Sequence, residues 1–157
     1  MIKVQNFHPR LEATLPETYA LLRSSNLTLH PRVSRLILHG SRGLANRPRF
    51  DSDIDLSLIV DISKPEAENL ELLKTIHDTT YDHWALSIPL DLAVIFDIRQ
   101  CKLSCFDQNT WDPGFCSIGG IDCFGLYKIG KGFNGLVTNA GIQVERMYPC
   151  LKIWERT

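Results

Sequence analysis

No sign of charge dominates this chain: 17 Lys and Arg stand against 18 Asp and Glu, for a formal net charge of −1. The composition therefore offers no general field to draw in a long phosphate backbone, and any basic patch must be local. No hydrophobic run approaches the roughly 20 residues that a membrane-spanning helix needs. The opening MIKVQNFHPR lacks the apolar core of a secretory signal, so a cytoplasmic protein with no membrane segment is expected. Cysteine is sparse and odd in number, with five at 101, 105, 116, 123 and 150. Their spacing completes no zinc finger, and His30, His77 and His83 do not join thiols or acids at ligand spacing. Free thiols in a reducing compartment are expected instead. Repeats, low-complexity tracts and linkers are absent too. A chain of 157 residues with 44% hydrophobic content fits a single domain, 1–157, with a substantial core.

Against these absences one stretch stands out. From Leu36 to Val60 the chain reads LILHGSRGLANRPRFDSDIDLSLIV. An apolar run stops at Gly40-Ser41, a short basic segment follows, and a second apolar run opens with Asp53-Ile54-Asp55. Strand side chains alternate between faces, so Asp53 and Asp55 share one face while Ile54, Leu56 and Leu58 take the other. Two neighbouring carboxylates repel, and both stay ionised at low cost only with positive charge between them. A hard divalent cation supplies it. A small-residue turn such as Gly40-Ser41 offers backbone N–H groups to a phosphate. A third acid, Asp91, opens the apolar run LDLAVIF on the face of Ala93 and Ile95. Burying it there unpartnered is costly, and a metal shared with Asp53 and Asp55 removes that cost. Three carboxylates can hold two Mg²⁺ ions about 4 Å apart, which stabilises the attacking and leaving oxygens of an in-line displacement.

The rest of the chain arranges itself around this stretch. TLPETYALLRSS (14–25) predicts a helix with Thr14 as N-cap and Leu15, Tyr19 and Leu22 on one stripe. Strands are expected over 35–39, 53–60 and 90–96, with a short helix starting in 42–50 and cut off by Pro48. A second helix is expected from Pro65 to Trp84, burying Leu70, Leu73 and Ile76. Residues 100–157, rich in Gly and aromatics, read as short antiparallel strands and turns. The fold class is α/β in the α+β sense: a mixed sheet flanked by helices, with extra strands at the C-terminal end.

The ordered set Gly40-Ser41, eleven residues, Asp53-Ile54-Asp55 and then Asp91 on a later strand resembles the DNA polymerase beta-like nucleotidyltransferase superfamily, most of all its minimal, stand-alone type. The resemblance covers residues 33–96. It implies transfer of a nucleoside monophosphate, AMP from ATP being the expected case, from an NTP to a hydroxyl, with two Mg²⁺ ions and release of pyrophosphate. It carries the metal and catalytic roles to Asp53, Asp55 and Asp91, and nucleotide binding to Gly40 and Ser41. Arg42, directly after the turn, is the arginine best placed to fork onto phosphate, whereas Arg47 and Arg49 read as solvated loop charges. The spacing from turn to acids is about one residue longer than the commonest minimal pattern. The helical substrate domain of larger relatives has no counterpart in 100–157. Some small relatives act as antitoxins that modify a helical toxin, so a protein partner carrying the acceptor hydroxyl is one expectation. A small molecule and an RNA end are others. Two rival readings stay open: a catalytically inactive nucleotide- or partner-binding module, and a polymerase or tRNA-modifying enzyme, against which the near-zero charge argues. His39 reads as structural, Lys128 and Lys131 as a solvated strand edge ahead of a role with a phosphate or an acceptor, and Phe124, Tyr127, Phe133 and Trp154 as core or interface.

Overall fold

The computed structural model describes residues 1–62, 67–108, 123–141, 147 and 149–157. The elements run β1 (Ile2–Lys3), α1 (Pro9–Thr14), α2 (Pro16–Arg23), β2 (Thr28–Leu29), β3 (Val33–His39), β4 (Ile54–Val60), α3 (Ala67–His83), β5 (Leu90–Asp97), a 3₁₀ turn (Ser104–Gln108), β6 (Phe124–Gly130), β7 (Phe133–Val137) and β8 (Leu151–Glu155). β1 and β2 pair as a small ribbon. The other six strands form one mixed sheet in the order β7-β6-β5-β4-β3-β8. Only β4 and β5 run parallel, and α3 is the crossover that a parallel pair requires. The protein is thus a mixed α+β fold. Among the described residues no helix is long and apolar enough to cross a membrane.

Strand alternation divides the core in two. Leu36, Leu38, Leu56, Leu58, Leu92, Val94 and Phe96 point to one face and pack with Leu11, Leu22, Leu73 and Ile76 of the helices. Ile37, Ile59, Ala93, Ile95 and Leu126 point to the other, under Leu103 and Phe106 around the 3₁₀ turn. That turn covers only part of its face, and the uncovered part carries the acids.

Several sequence expectations are corrected. The helix expected over 14–25 is two helices, with Thr14 ending α1 rather than capping α2; Leu15 joins them at φ −133°. Pro16 explains the break, because it disfavours helical geometry in the residue before it and sits well at a helix's first position. Residues 41–45 form successive turns, not a helix, and Asn46 takes a left-handed φ of +47°. α3 buries Leu73, Ile76, His77 and Thr80, while Leu70 is exposed; polar His77 and Thr80 complete the stripe because Thr80 Oγ1 donates to Thr28 O at 2.8 Å. Pro65, Cys116 and the DPGF segment lie outside the described residues. Strands at 35–39, 53–60 and 90–96 are found within a residue or two, as is the expected late hairpin. The final strand instead crosses to the opposite edge of the sheet, beside β3.

Candidate functional site

Register brings the acids together. Asp55 lies opposite Asp91 across the parallel pair, and His39 lies opposite Asp55 on β3. The three form a row on the face away from the helices. Asp53 sits one residue before β4. One oxygen from each of Asp53, Asp55 and Asp91 lies within 4.8 Å of the others, all three side chains being partly buried.

Like charges directly opposed destabilise a sheet, and two things offset the repulsion here. The first is a proton. Burial, the hydrogen bond with Asp91 and the charges of Asp53 and Asp91 push the pKa of Asp55 up to about 7. Burial would also raise Asp91, but the hydrogen bond from Asp55 and the Lys128 ammonium outweigh it and hold Asp91 below its ordinary value. Below about pH 7 Asp55 therefore holds the proton, and its hydroxyl donates a hydrogen bond to Asp91. The second is lysine. Lys128 pairs in register with Ala93, which sets it diagonal to Asp91, with Nζ 2.7 Å from Oδ1 and both side chains 15% exposed. Lys131 Nζ lies 3.0 Å from Asp53 Oδ2, yet its side chain is 62% exposed.

These contacts correct the expectation of a solvated strand edge for Lys128, which is enclosed against Asp91, whereas Lys131 is solvated as expected and also reaches Asp53. The signal for Lys131 was in the sequence. Gly130 pairs with Phe133, leaving Lys131-Gly132 as a two-residue hairpin turn with φ of +54° and +88°. Positive φ at both central positions is the type I′ turn, which prefers Asn and Gly. Lysine there is strained, and an exposed ion pair is a weak source of stability. The contact with Asp53 alone does not offset the choice of residue.

On the other side of the triad Gly40 follows His39 at φ +74°, and a Cβ on it would overlap Asp55 Oδ2. Only glycine permits both the backbone conformation and the close approach. Gly43 N–H closes onto Gly40 O at 3.0 Å and Arg47 N–H onto Ser41 O at 2.9 Å, so the turn is tightly built. The structure places Arg42 elsewhere than expected. Its side chain is buried, Nε donates to Ser52 O at 2.8 Å and an Nη donates to Arg49 O at 3.2 Å. It braces the loop that leads to the acids instead of being presented to a phosphate. Arg47 and Arg49 are exposed, as expected of loop charges. Between Arg49 and Asp51 the braced loop carries Phe50 at 96% exposure.

No family model, curated protein or solved structure matches this chain. Its function has to be argued from the site.

His39, at the β3 end of the row, is fixed by two hydrogen bonds. Its Nδ1 lies 3.1 Å from Met147 O, and its Nε2 2.9 Å from Ser57 Oγ. Burial holds its pKa down to about 4, so the ring is neutral. A carbonyl only accepts, so Nδ1 carries the hydrogen and Nε2 accepts from the Ser57 hydroxyl. The histidine is structural, tying the end of β3 to β4 and to the C-terminal segment. His39→Ala should lower unfolding free energy by about 2–4 kcal/mol, since it opens a cavity and strands a buried hydroxyl. A shift of the urea midpoint too small to resolve would mean that this pair holds nothing.

Two clefts lie away from the acids. One, of about 740 Å³, is lined by Arg35, Asp61, Asp97, Lys102, Asp107 and Arg156 at the far end of β4 and β5. Its charges satisfy one another, as in Arg35 to Asp107 at 3.0 Å and Arg156 to Asp61 at 3.1 Å. The other, of about 830 Å³, separates residues 2–8 from β8. Among the described residues the one group of acids close enough to share a metal ion is the triad, which lies in neither cleft.

Proposed function

We propose that the chain is a minimal nucleotidyltransferase of the DNA polymerase beta-like kind. It moves a nucleoside monophosphate, AMP in the first instance, from an NTP to a hydroxyl and releases pyrophosphate. The observation that carries this reading is the convergence of Asp53, Asp55 and Asp91 within 4.8 Å beside a turn whose approach to Asp55 only Gly40 allows. The donor set suits Mg²⁺, being all hard carboxylate oxygen with no thiol or imidazole. Mg²⁺ held there supplies Lewis-acid polarisation and charge neutralisation at the phosphoryl oxygens. Asp53 and Asp55 are the residues that hold it, with Asp91 completing a second position. Backbone N–H groups of Gly40 and Ser41 bind the triphosphate. The acceptor oxygen forms a bond to the α-phosphorus as the bond from that phosphorus to the β-phosphate's bridging oxygen breaks. Pyrophosphate leaves, and the acceptor's proton passes to water, a loss that Asp91 favours by completing the second metal position. The acceptor is a hydroxyl on a protein partner, such as a helical toxin-like protein, on a small molecule or at an RNA end.

Pyrophosphate release should be measured with each of the four NTPs and Mg²⁺, in cell lysate as an acceptor pool. Wild type should exceed the double variant Asp53→Ala/Asp55→Ala by at least about a thousandfold, since that pair removes the metal's ligands. Equal rates would refute the transferase reading for every acceptor in that pool.

A second reading is favoured by the two lysines. Lys128 on Asp91 and Lys131 on Asp53 neutralise the acids without any metal, as a non-catalytic binding module would require. Mn²⁺ binding separates the two readings: a module of this kind leaves the triad closed to the cation.

A further inference from the structure

The β6–β7 turn aims a lysine at the triad that its local structure does not call for. We propose that Lys131 is a phosphate-binding residue of this site: its ammonium rests on Asp53 in the unliganded protein and passes to the triphosphate when a divalent cation takes Asp53. The inference rests on reading the triad as the metal centre of a nucleotidyltransferase.

Four observations support it. The lysine occupies a left-handed position, φ +54°, where asparagine or glycine is the usual choice. The residue is thus poorly explained by the turn itself. Its ammonium sits on a carboxylate of the triad at 3.0 Å while most of the side chain stays in solvent, so it leaves Asp53 without opening a core. The flanking glycines Gly130 and Gly132 are unpacked, with nothing within 4 Å of an added Cβ, which leaves the turn room to pivot. Lys128 provides the contrast. Its side chain and that of Asp91 are both largely enclosed, and its ammonium lies 5.4 Å from the centre of the Phe133 ring. One lysine is therefore built into the sheet and the other is releasable.

The chemistry matches the ligand. A triphosphate entering a site of three carboxylates needs cationic partners beyond the metal, and Arg42 is committed to its loop. A lysine ammonium is a compact point charge suited to phosphate. Its departure also frees Asp53 as a ligand at the moment the cation needs it. The same movement gives the acids a neutral resting state and makes metal and nucleotide binding mutually supportive.

The test uses Lys131→Asn, because asparagine is at home in this turn, with Lys131→Arg as the charge-retaining variant. Mn²⁺ affinity is measured alone by electron paramagnetic resonance. Affinity for a non-hydrolysable α,β-methylene analogue of ATP is measured by calorimetry at saturating Mn²⁺. Lys131→Asn should bind Mn²⁺ alone more tightly, by about threefold to tenfold, because Asp53 has lost its competitor. It should bind the analogue about tenfold more weakly, because a charged phosphate contact is gone. Lys131→Arg should stay near wild type in both, and unchanged thermal melting of both variants should show that the turn survives. The opposed directions are the signature, since a merely structural lysine would move both affinities the same way. If wild type binds Mn²⁺ but Lys131→Asn changes neither affinity, this proposal fails while the metal-centre reading stands. If wild type binds no Mn²⁺, the metal-centre reading fails and takes this one with it.

Discussion

Metal-free Asp55→Asn protein is expected to match the melting temperature of wild type near pH 4 and to exceed it by about 3–6 °C at pH 8.5. The argument starts from register. β4 and β5 set Asp55 opposite Asp91, and burial with the neighbouring carboxylates raises the pKa of Asp55 from 3.8 to about 7. The folded protein thus holds this proton more tightly than the unfolded chain does. Stability from Asp55 is fully present below about pH 4, and it is lost as the pH rises through 7. Asparagine keeps a hydrogen-bond donor toward Asp91 but never ionises, so its contribution is flat across that window. The side chain is only partly buried, and solvent screening reduces the effect to about 1–2 kcal/mol, which is a few degrees for a chain of this size.

Mn²⁺ should reverse the order. It requires the deprotonated carboxylate, so its affinity for wild type should climb about tenfold per pH unit up to about pH 7 and then level off. At a hundred times its dissociation constant it should stabilise wild type by about 2.7 kcal/mol and leave Asp55→Asn almost unmoved. Thermal melts at pH 4 and pH 8.5, with and without Mn²⁺, check all of this together. A gap between the proteins that does not change with pH would show that no carboxyl proton is shared at this position.

Gly40→Ala is expected to be the most damaging single-methyl change in the molecule's turns. It should cost about 2–4 kcal/mol of stability and weaken Mn²⁺ binding at least about tenfold. The backbone at Gly40 is left-handed, at φ +74°, which costs any L-residue with a Cβ about 1–2 kcal/mol. The added methyl also occupies the place of Asp55 Oδ2, so either the turn withdraws or the carboxylate swings away from its neighbours. Both outcomes spoil the triad. Gly132→Asn is the control: its φ is also positive, at +88°, but open space surrounds it and asparagine tolerates that conformation. The control should melt within about 1 °C of wild type and bind Mn²⁺ normally. Equal damage at both positions would mean that loss of glycine, and not approach to Asp55, is what matters.

The strands at the site were legible because their patterns are local. Apolar runs broken at Gly40-Ser41 and reopened by Asp53-Ile54-Asp55 carry the alternation and the turn chemistry within a few residues. The parts misread depend on neighbours distant in the chain. Arg42 looked like a phosphate ligand because it adjoins the turn, but its partners are carbonyls seven and ten residues on, in a loop whose path no periodicity reveals. Leu70 looked buried because it fits an apolar stripe, yet the sheet presses against the stripe that holds His77 and Thr80. Lys128 looked solvated because nothing local says that β6 lies beside β5.

By itself the sequence determined which residues can share a face: Asp53 with Asp55, and Asp91 with Ala93 and Ile95. It also determined that a glycine turn precedes the acids and that 33–96 has the alternating pattern of strands around a helix. These follow from the two-residue period of a strand and the stereochemistry of glycine, which are properties of neighbouring residues. Only the tertiary structure decided that Asp55 and Asp91 stand opposite one another, that His39 braces them from β3, and that two lysines from a late hairpin neutralise them. Strand order and register are set by which buried surfaces fit over the whole sheet, so no stretch of chain encodes them alone. A slip of one residue in β5 would have turned Asp91 into the helical core and left no site at all.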